Sequence, residues 1–350
     1  MIHYIIDTMK AFIKRPYLRK LYLFSGIAVS ALSLWIAFNL VEWDKLKSAL
    51  RNAEYIWLLP SSFVILLAAL ARAERWRWLM GGRNKVSLPR SFRAISIGYL
   101  ITNIFPFRLG ELVRPIIVAR GGKIKAMHSF STIAVEHLLD LLMIFAMLII
   151  VLPGIILPKT AEQGVAQGAV LFIIATLALI IIVWQRSLVE RSVSWVLRRI
   201  PGINHSIWEG RFHAFMNGLD VIRSPRLFSF SLIWTVLAWL LSAIGFHLAL
   251  LAFVPDAQFM ASLLITVTVT LARLAPATPG SIGVVQIVIQ QSLVIFGIPP
   301  GTGLAFGIVF HAAEFIVLNI AGIISLGIEG MSWSSLVSTI HQTETEAGQP

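Results

Sequence analysis

The sequence predicts an all-α polytopic membrane protein, with about six full transmembrane helices and two re-entrant or broken ones. Three observations carry this reading. Of 350 residues, 57% are hydrophobic and 13% charged, against roughly 45–50% and about 25% in soluble domains, so polar side chains are too few to cover soluble surfaces. Several uncharged runs reach the ~20 residues that span a hydrocarbon core. The remaining charge is basic, with 29 Lys and Arg against 17 Asp and Glu, and it clusters between the apolar runs. Basic excess alone would also suit nucleic acid. The apolar runs exclude that partner and leave the anionic membrane surface.

In chain order, the first span is Leu21–Val41, preceded by the basic residues Lys10, Lys14, Arg15, Arg19 and Lys20. It is longer than a signal-peptide core and lacks an Ala-x-Ala exit, so it reads as an anchor that stays. The second is Tyr55–Ala71. The third is Leu141–Leu157, extended back to near Ser129, which carries Glu136, His137 and Asp140 into the membrane. Val165–Gln185 and Leu227–Val254 follow, and a last span at about 303–328 contains His311 and Glu314. Two stretches do not fit a plain crossing. Ala94–Phe107 has 14 residues between Arg93 and Arg108 and suits a re-entrant arm. Leu274–Pro300 is long enough but is broken near its start by Pro276, Pro279, Gly280 and Gly283.

Orientation follows the basic residues of short loops. Residues 1–20, 72–93, 108–125 and 186–226 together hold 24 of the 29. They alternate with poor loops at 42–54 and 158–163, provided that 94–107 enters and leaves on one side. The N-terminus is then cytoplasmic. One membrane domain, 21–330, accounts for the chain between a basic N-terminus (1–20) and a polar tail (331–350). Within it, 186–226 interleaves apolar and basic residues as an amphipathic segment against anionic headgroups. With no cysteine there is no disulfide framework, no thiolate metal site and no Cys nucleophile.

Four segments could carry chemistry. In Asn103-Ile-Phe-Pro106-Phe-Arg108-Leu-Gly110-Glu111-Leu-Val-Arg114, a helix break is followed by charges at i, i+3 and i+6. Ionisable groups at such a break suggest a substrate pathway; ordinary juxtamembrane arginines are the plainer alternative. In Arg273-Leu-Ala-Pro276-Ala-Thr278-Pro279-Gly280-Ser281-Ile-Gly283, Thr278 suits an N-cap and Pro279 a first helical position. The helix start would leave backbone N–H groups open to an anion such as a lipid phosphate, with Arg273 adding attraction. A proline kink at a tight crossing is the alternative. Both breaks read Pro-x-x-x-Gly, the kind of paired interruption expected of an inverted repeat.

The third segment is Glu136-His137-Leu-Leu-Asp140, joined by His311 and Glu314 at i, i+3 in the last span. Pairing of these acids with Arg108, Arg114 or Arg273 is the simplest reading. A proton relay comes next, and a metal site last. No metal or cofactor is therefore expected. The fourth, Arg72-Ala-Glu74-Arg75-Trp76-Arg77-Trp78, closes the second span as an interfacial anchor.

Taken in order, Arg72…Arg75-Trp76…Leu79, Asn103…Pro106-x-Arg108-x-Gly110-Glu111-x-x-Arg114, Glu136-x-x-x-Asp140 and Pro276-x-x-Pro279-Gly280-x-x-Gly283-Val284 resemble the lysylphosphatidylglycerol synthase transmembrane, or flippase-like, family of bacteria and archaea. The resemblance covers about residues 20–330 and is most specific in the Pro-x-Arg-x-Gly-Glu-x-x-Arg piece. The chain departs from it at His137, where the family has Arg, and at Gln286, where it often has Glu. Each change removes a fixed charge. The resemblance implies a domain of the cytoplasmic membrane that moves a lipid between leaflets. The lysyl-transferring members carry a further soluble domain, and no segment here is of that kind, so synthase activity is not expected.

The function expected is a lipid translocase acting on an anionic phospholipid or lipid-linked headgroup. Asn103, Arg108, Glu111, Arg114, Arg273, Thr278, Gly280, Ser281 and Gly283 would form the substrate seat. Glu136, His137, Asp140, His311 and Glu314 would balance charge or relay protons. A membrane-embedded lipid-modifying transferase using those His and carboxylates is one alternative. A secondary transporter of a small anionic solute is the other, and self-association is compatible with either. No Walker-type phosphate loop is present, which argues against ATP hydrolysis by this chain.

Overall fold

A computed structural model of the chain describes residues 42–82, 85–104, 109–121, 124–154, 184–197, 205–273 and 279–330, with scattered positions among 32–39 and 167–182 and at 199. The N-terminal 20 residues and the tail after 330 fall outside them, as do most of the expected span at 21–41 and about half of that at 165–185. Among the described residues all regular structure is helical. The order is α1 (Trp43–Asn52), α2 (Leu58–Leu79, entered through a 3-10 turn at Tyr55–Trp57), α3 (Leu88–Ile104) and α4 (Gly110–Ala119). Then come α5 (Ala126–Val151), α6 (Arg186–Leu197), α7 (His205–Leu219), α8 (Pro225–Leu251), α9 (Phe259–Ala272), α10 (Val284–Val294) and α11 (Pro300–Ile328).

Among the described residues, four helical stretches are long and apolar enough to cross a membrane: Tyr55–Leu79, Ala126–Val151, Pro225–Leu251 and Pro300–Ile328. Two bounds differ from the sequence reading. The second span runs on to Leu79, because Arg72–Trp78 continues the helix instead of capping it outside the hydrocarbon. The stretch expected to restart at Thr278 forms helix only from Val284. Gly280, Ser281 and Gly283 have φ of 72°, 54° and 90°, values a right-handed helix cannot contain, and Pro279–Ser281 is a short 3-10 turn instead.

The described residues form two compact units. The first comprises residues 1–66, 96–110 and 242–350. Its core is Phe246, Ile265, Val285, Ile289, Phe306 and Phe310, with Phe246 stacked on Phe310 at 4.2 Å between ring centroids. At 14 and 11 residues, α9 and α10 extend only about 21 and 16 Å, too short to cross a ~30 Å hydrocarbon core. They fold as a hairpin against the first half of α11. Cβ atoms added at Gly303 and Gly307 would lie 3.2 Å and 3.5 Å from the Cα atoms of Gln290 and Gln286. Later positions on α11 thus meet earlier ones on α10, so the two helices run antiparallel.

The far half of α11 is covered by α3. A Cβ at Gly322 would sit 2.6 Å from Leu100 Cβ and 2.7 Å from the Ser96 carbonyl. At the end of α3, the Asn103 carbonyl lies 3.8 Å from the Cβ position of Gly280, whose other neighbour is the Phe315 ring. The α9–α10 hairpin and α3 therefore lie along opposite halves of α11, and their ends meet beside its midpoint.

The second unit comprises residues 67–95 and 111–241. Here the end of α2 packs on α5 and α8. Trp76 Nε1 donates to Thr132 Oγ1 at 3.0 Å, and Trp78 stacks on Phe230 at 4.3 Å. The first turns of α5 are sheathed by α7, with Gly218 against Ser131 and the His128 carbonyl. An ionic clamp holds α6 near α7: Arg186 donates to Glu190 at 2.7 Å, Asp220 at 2.6 Å and Asn217 at 2.6 Å. Burial pushes the Glu190 carboxyl upward, but hydrogen bonds from Arg186 and His213 outweigh it, and the group titrates below the usual carboxylate range. The opposite stripe of this segment faces outward, with Trp184, Leu188 and Trp195 at 74%, 56% and 56% exposure. An outward apolar stripe carrying tryptophans suits lipid headgroup depth.

Candidate functional site

In the first unit, α9 ends at Ala272 and the next residue, Arg273, turns its side chain onto α11. Its guanidinium meets Glu314 through two contacts, the longer 3.2 Å. Glu314 is 14 residues from each end of α11, or about 21 Å along the axis, the middle of a membrane-crossing helix. The arginine side chain keeps 35% of its surface accessible and Glu314 keeps 14%. Charged groups at this depth need a partner or water. Here one pair neutralises itself while leaving the cation reachable.

Beside the pair, the break between α9 and α10 is shaped by its backbone. Gly280 tolerates its positive φ because it has no Cβ, whereas Ser281 adopts one against the ordinary preference of an L-residue. The start of α10 is less open to an anion than its glycines suggest. The Gly283 N–H donates to the Gln286 side-chain oxygen at 2.7 Å, and Gln286 Nε2 lies 3.0 Å from His311 Nδ1. Pro276 and the expected N-cap Thr278 lie outside the described residues, as do Pro106 and Arg108.

The second unit holds a sealed charge cluster. Arg75, 1% exposed, donates to Glu136 at 2.6 Å and Asp140 at 2.5 Å. Arg114 reaches Glu136 at 3.4 Å and lies 5.2 Å from the Trp76 ring centroid. Trp239 Nε1 adds a 2.9 Å bond to Asp140. At the edge of this cluster, His137 Nε2 sits 3.2 Å from Glu111, and this pair is more open, with side chains 45% and 24% exposed. Two arginines and two carboxylates thus cancel inside the membrane segment. Tryptophans fill the remaining space, an arrangement suited to joining helices more than to exchanging a ligand.

The structure therefore distributes the expected residues unequally. Arg273, Glu314, Gly280, Ser281, Gly283, His311 and Asn103 gather at the hairpin tip. Glu111, Arg114, Glu136, His137 and Asp140 form the other cluster. Arg75, read as part of a surface anchor, is instead a central member of that second cluster. A legible signal stood in the sequence: Ala68, Ala71, Arg75 and Leu79 recur on one helical stripe, and all are buried. An arginine on the small-residue stripe of a spanning helix points inward, since small residues mark the packed face. Gln286, noticed only as a lost charge, is the link between hairpin and spanning helix. Among the described residues no group of three or more His, Asp or Glu side chains converges as for a metal ion.

Spanning helices, a half-length hairpin and an arginine at its broken tip define a class: multi-pass helical membrane proteins with shorter apolar helices among the spans. The particular family follows from comparison. The pattern of the family described as Lysylphosphatidylglycerol synthase TM region matches residues 23–322, and the chain belongs to that family. Two proteins named UPF0104 membrane protein, both from Methanothermobacter thermautotrophicus, are similar along nearly their whole length. One is 21% identical over 325 residues, covering 88% of this chain and 96% of the relative. The other is 21% identical over 309 residues, covering 84% and 90%. No solved structure matches.

Proposed function

We propose that the chain is a lipid translocase of the cytoplasmic membrane, carrying an anionic phospholipid or lipid-linked headgroup between leaflets. The observation that supports this most directly is the Arg273–Glu314 pair at the middle of α11. A phosphodiester matches a carboxylate in charge and in its ability to accept two guanidinium hydrogen bonds. An arriving headgroup can therefore replace Glu314 at Arg273, and the released carboxyl group is then balanced by taking up a proton or a small cation. Acyl chains would stay in the bilayer while the headgroup passes the hairpin tip. The bulk of the basic residues, in loops read as cytoplasmic, would favour entry of anionic lipid from that leaflet. Catalysis of a covalent step is not part of this reading.

Proteoliposomes carrying a fluorescent anionic phospholipid test it, with the outer leaflet bleached by dithionite. Arg273→Ala is expected to slow transbilayer exchange by about tenfold or more, since one charge-assisted hydrogen bond is worth roughly 1.5–3 kcal/mol. Glu314→Gln is expected to change the rate while leaving anionic selectivity in place. Equal rates for wild type and Arg273→Ala would sink the proposal. Uptake of a soluble organic phosphate without lipid exchange would favour the solute-transporter alternative, and a new lipid product the transferase.

A further inference from the structure

We infer that Gln286 is a positioning residue that latches the hairpin tip to α11 through a neutral His311, and that protonation of His311 releases the latch. The chemistry of the contacts requires this assignment. A backbone N–H can only donate, so the atom of Gln286 that faces Gly283 N–H at 2.7 Å is its oxygen. That commits the amide NH2 to the other side, where His311 Nδ1 lies 3.0 Å away. An amide NH2 can only donate, so Nδ1 holds a lone pair and the imidazole proton resides on Nε2. His311 also reaches the backbone of Gly280, whose carbonyl is the group able to accept from Nε2–H. The neutral ring thus bridges both sides of the turn at Gly280–Gly283. Gln286 and His311 are each 6% exposed, so water offers little replacement.

Protonation would place Nδ1–H against the amide NH2, donor against donor, and Gln286 cannot rotate to help without abandoning Gly283. From α8, whose Phe246 stacks on Phe310, the nearby titratable group is His247, bonded to Ser262 at the start of α9, and α1 brings Asp44, Lys45, Lys47 and Arg51 to the first turns of α11. Neither α9 nor α10 carries a titratable side chain. The facing part of α3, residues 96–104, contributes only Tyr99, and α11 contributes His311 and Glu314. The remaining charge is Arg273, bound to Glu314. Only the histidines among these ordinarily titrate near neutrality, and of the two it is His311 that contacts Gln286. Its consequence for transport rests on the function proposed above: an acid-released tip would loosen the seat around Arg273. The latch itself does not depend on that reading.

The chain has no cysteine, so a single Ile282→Cys, at a position 48% exposed on the turn, reports the tip directly. Maleimide labelling of the reconstituted protein would be followed from about pH 5 to pH 8. Rates would be normalised to the same chain carrying Ile328→Cys, at a position 64% exposed. In the Gln286 background, relative labelling is expected to rise about tenfold in acid, the factor for one lost buried hydrogen bond. Gln286→Glu supplies a carboxylate that accepts from both Gly283 N–H and an imidazolium, so it should hold the tip closed in acid and abolish the rise. Gln286→Leu should label fast at every pH. A flat profile in the Gln286 background, or the same acid rise with Gln286→Glu, would overturn the inference. If Gln286→Leu does not fold, the Gln286→Glu comparison decides alone. Failure of lipid exchange with an intact labelling profile would count against the transport reading and not against the latch.

Discussion

Two arginines illustrate how burial separates structural from exchangeable charge. Arg75 is held by Glu136 and Asp140 with almost no accessible surface, whereas Arg273 keeps a third of its side chain open. Removing one partner of a buried pair leaves the other charges uncompensated, which costs about 3–5 kcal/mol. Arg75→Ala is therefore expected to lower the thermal midpoint of the detergent-solubilised protein sharply, and addition of Glu136→Gln to restore part of it. Arg273→Ala should cost less stability and more transport. Equal melting of the two single variants would contradict the division drawn between the clusters. The two Pro-x-x-x-Gly breaks diverge at the same scale. Gly280 is needed for its φ of 72°. Gly110 is needed for proximity, because a Cβ there would lie 1.8 Å from the Gly98 carbonyl.

Helix-on-helix contact decides which glycines matter. Within α7, Gly210 has nothing within 4 Å of an added Cβ, while Gly218 would bring one to 1.8 Å from Ser131 Oγ and 2.4 Å from the His128 carbonyl. Gly210→Ala should stabilise by about 0.5–1 kcal/mol through lower unfolded-chain entropy. Gly218→Ala should destabilise by about 1–3 kcal/mol, because α7 must move off α5. Thermal melting of the two variants checks both signs. The element boundaries follow similar logic. Apolar length placed the spanning stretches at 55–79, 126–151, 225–251 and 300–328 to within a few residues at most ends. It failed at 72–79 because charged residues at a helix end look like a surface anchor whether or not another helix covers them.

For the whole molecule, the basic loops predict that α1 and α6 lie on opposite sides of the membrane, with α6 cytoplasmic. Single cysteines at Ser48 and Ser187, both exposed, test this in intact cells with a membrane-impermeant maleimide. Ser48→Cys should label and Ser187→Cys should not, and the reverse pattern would invert the proposed topology. Membrane class, the four spanning stretches among the described residues and the break before α10 are local properties, set by runs of apolar residues and by proline and glycine, and they were legible along the chain. So was the neutralisation of intramembrane acids by arginines, because an unpaired charge there is too costly to persist. The choice of partners was not legible. Arg75, read as a surface anchor, meets Asp140, Gln286 rather than an open helix end meets Gly283, and α3 meets the hairpin tip at Asn103. Each of these joins residues tens to hundreds of positions apart, or turns on φ values at single residues. Spacing along one helix says which residues share a face, but only packing between helices decides what that face meets.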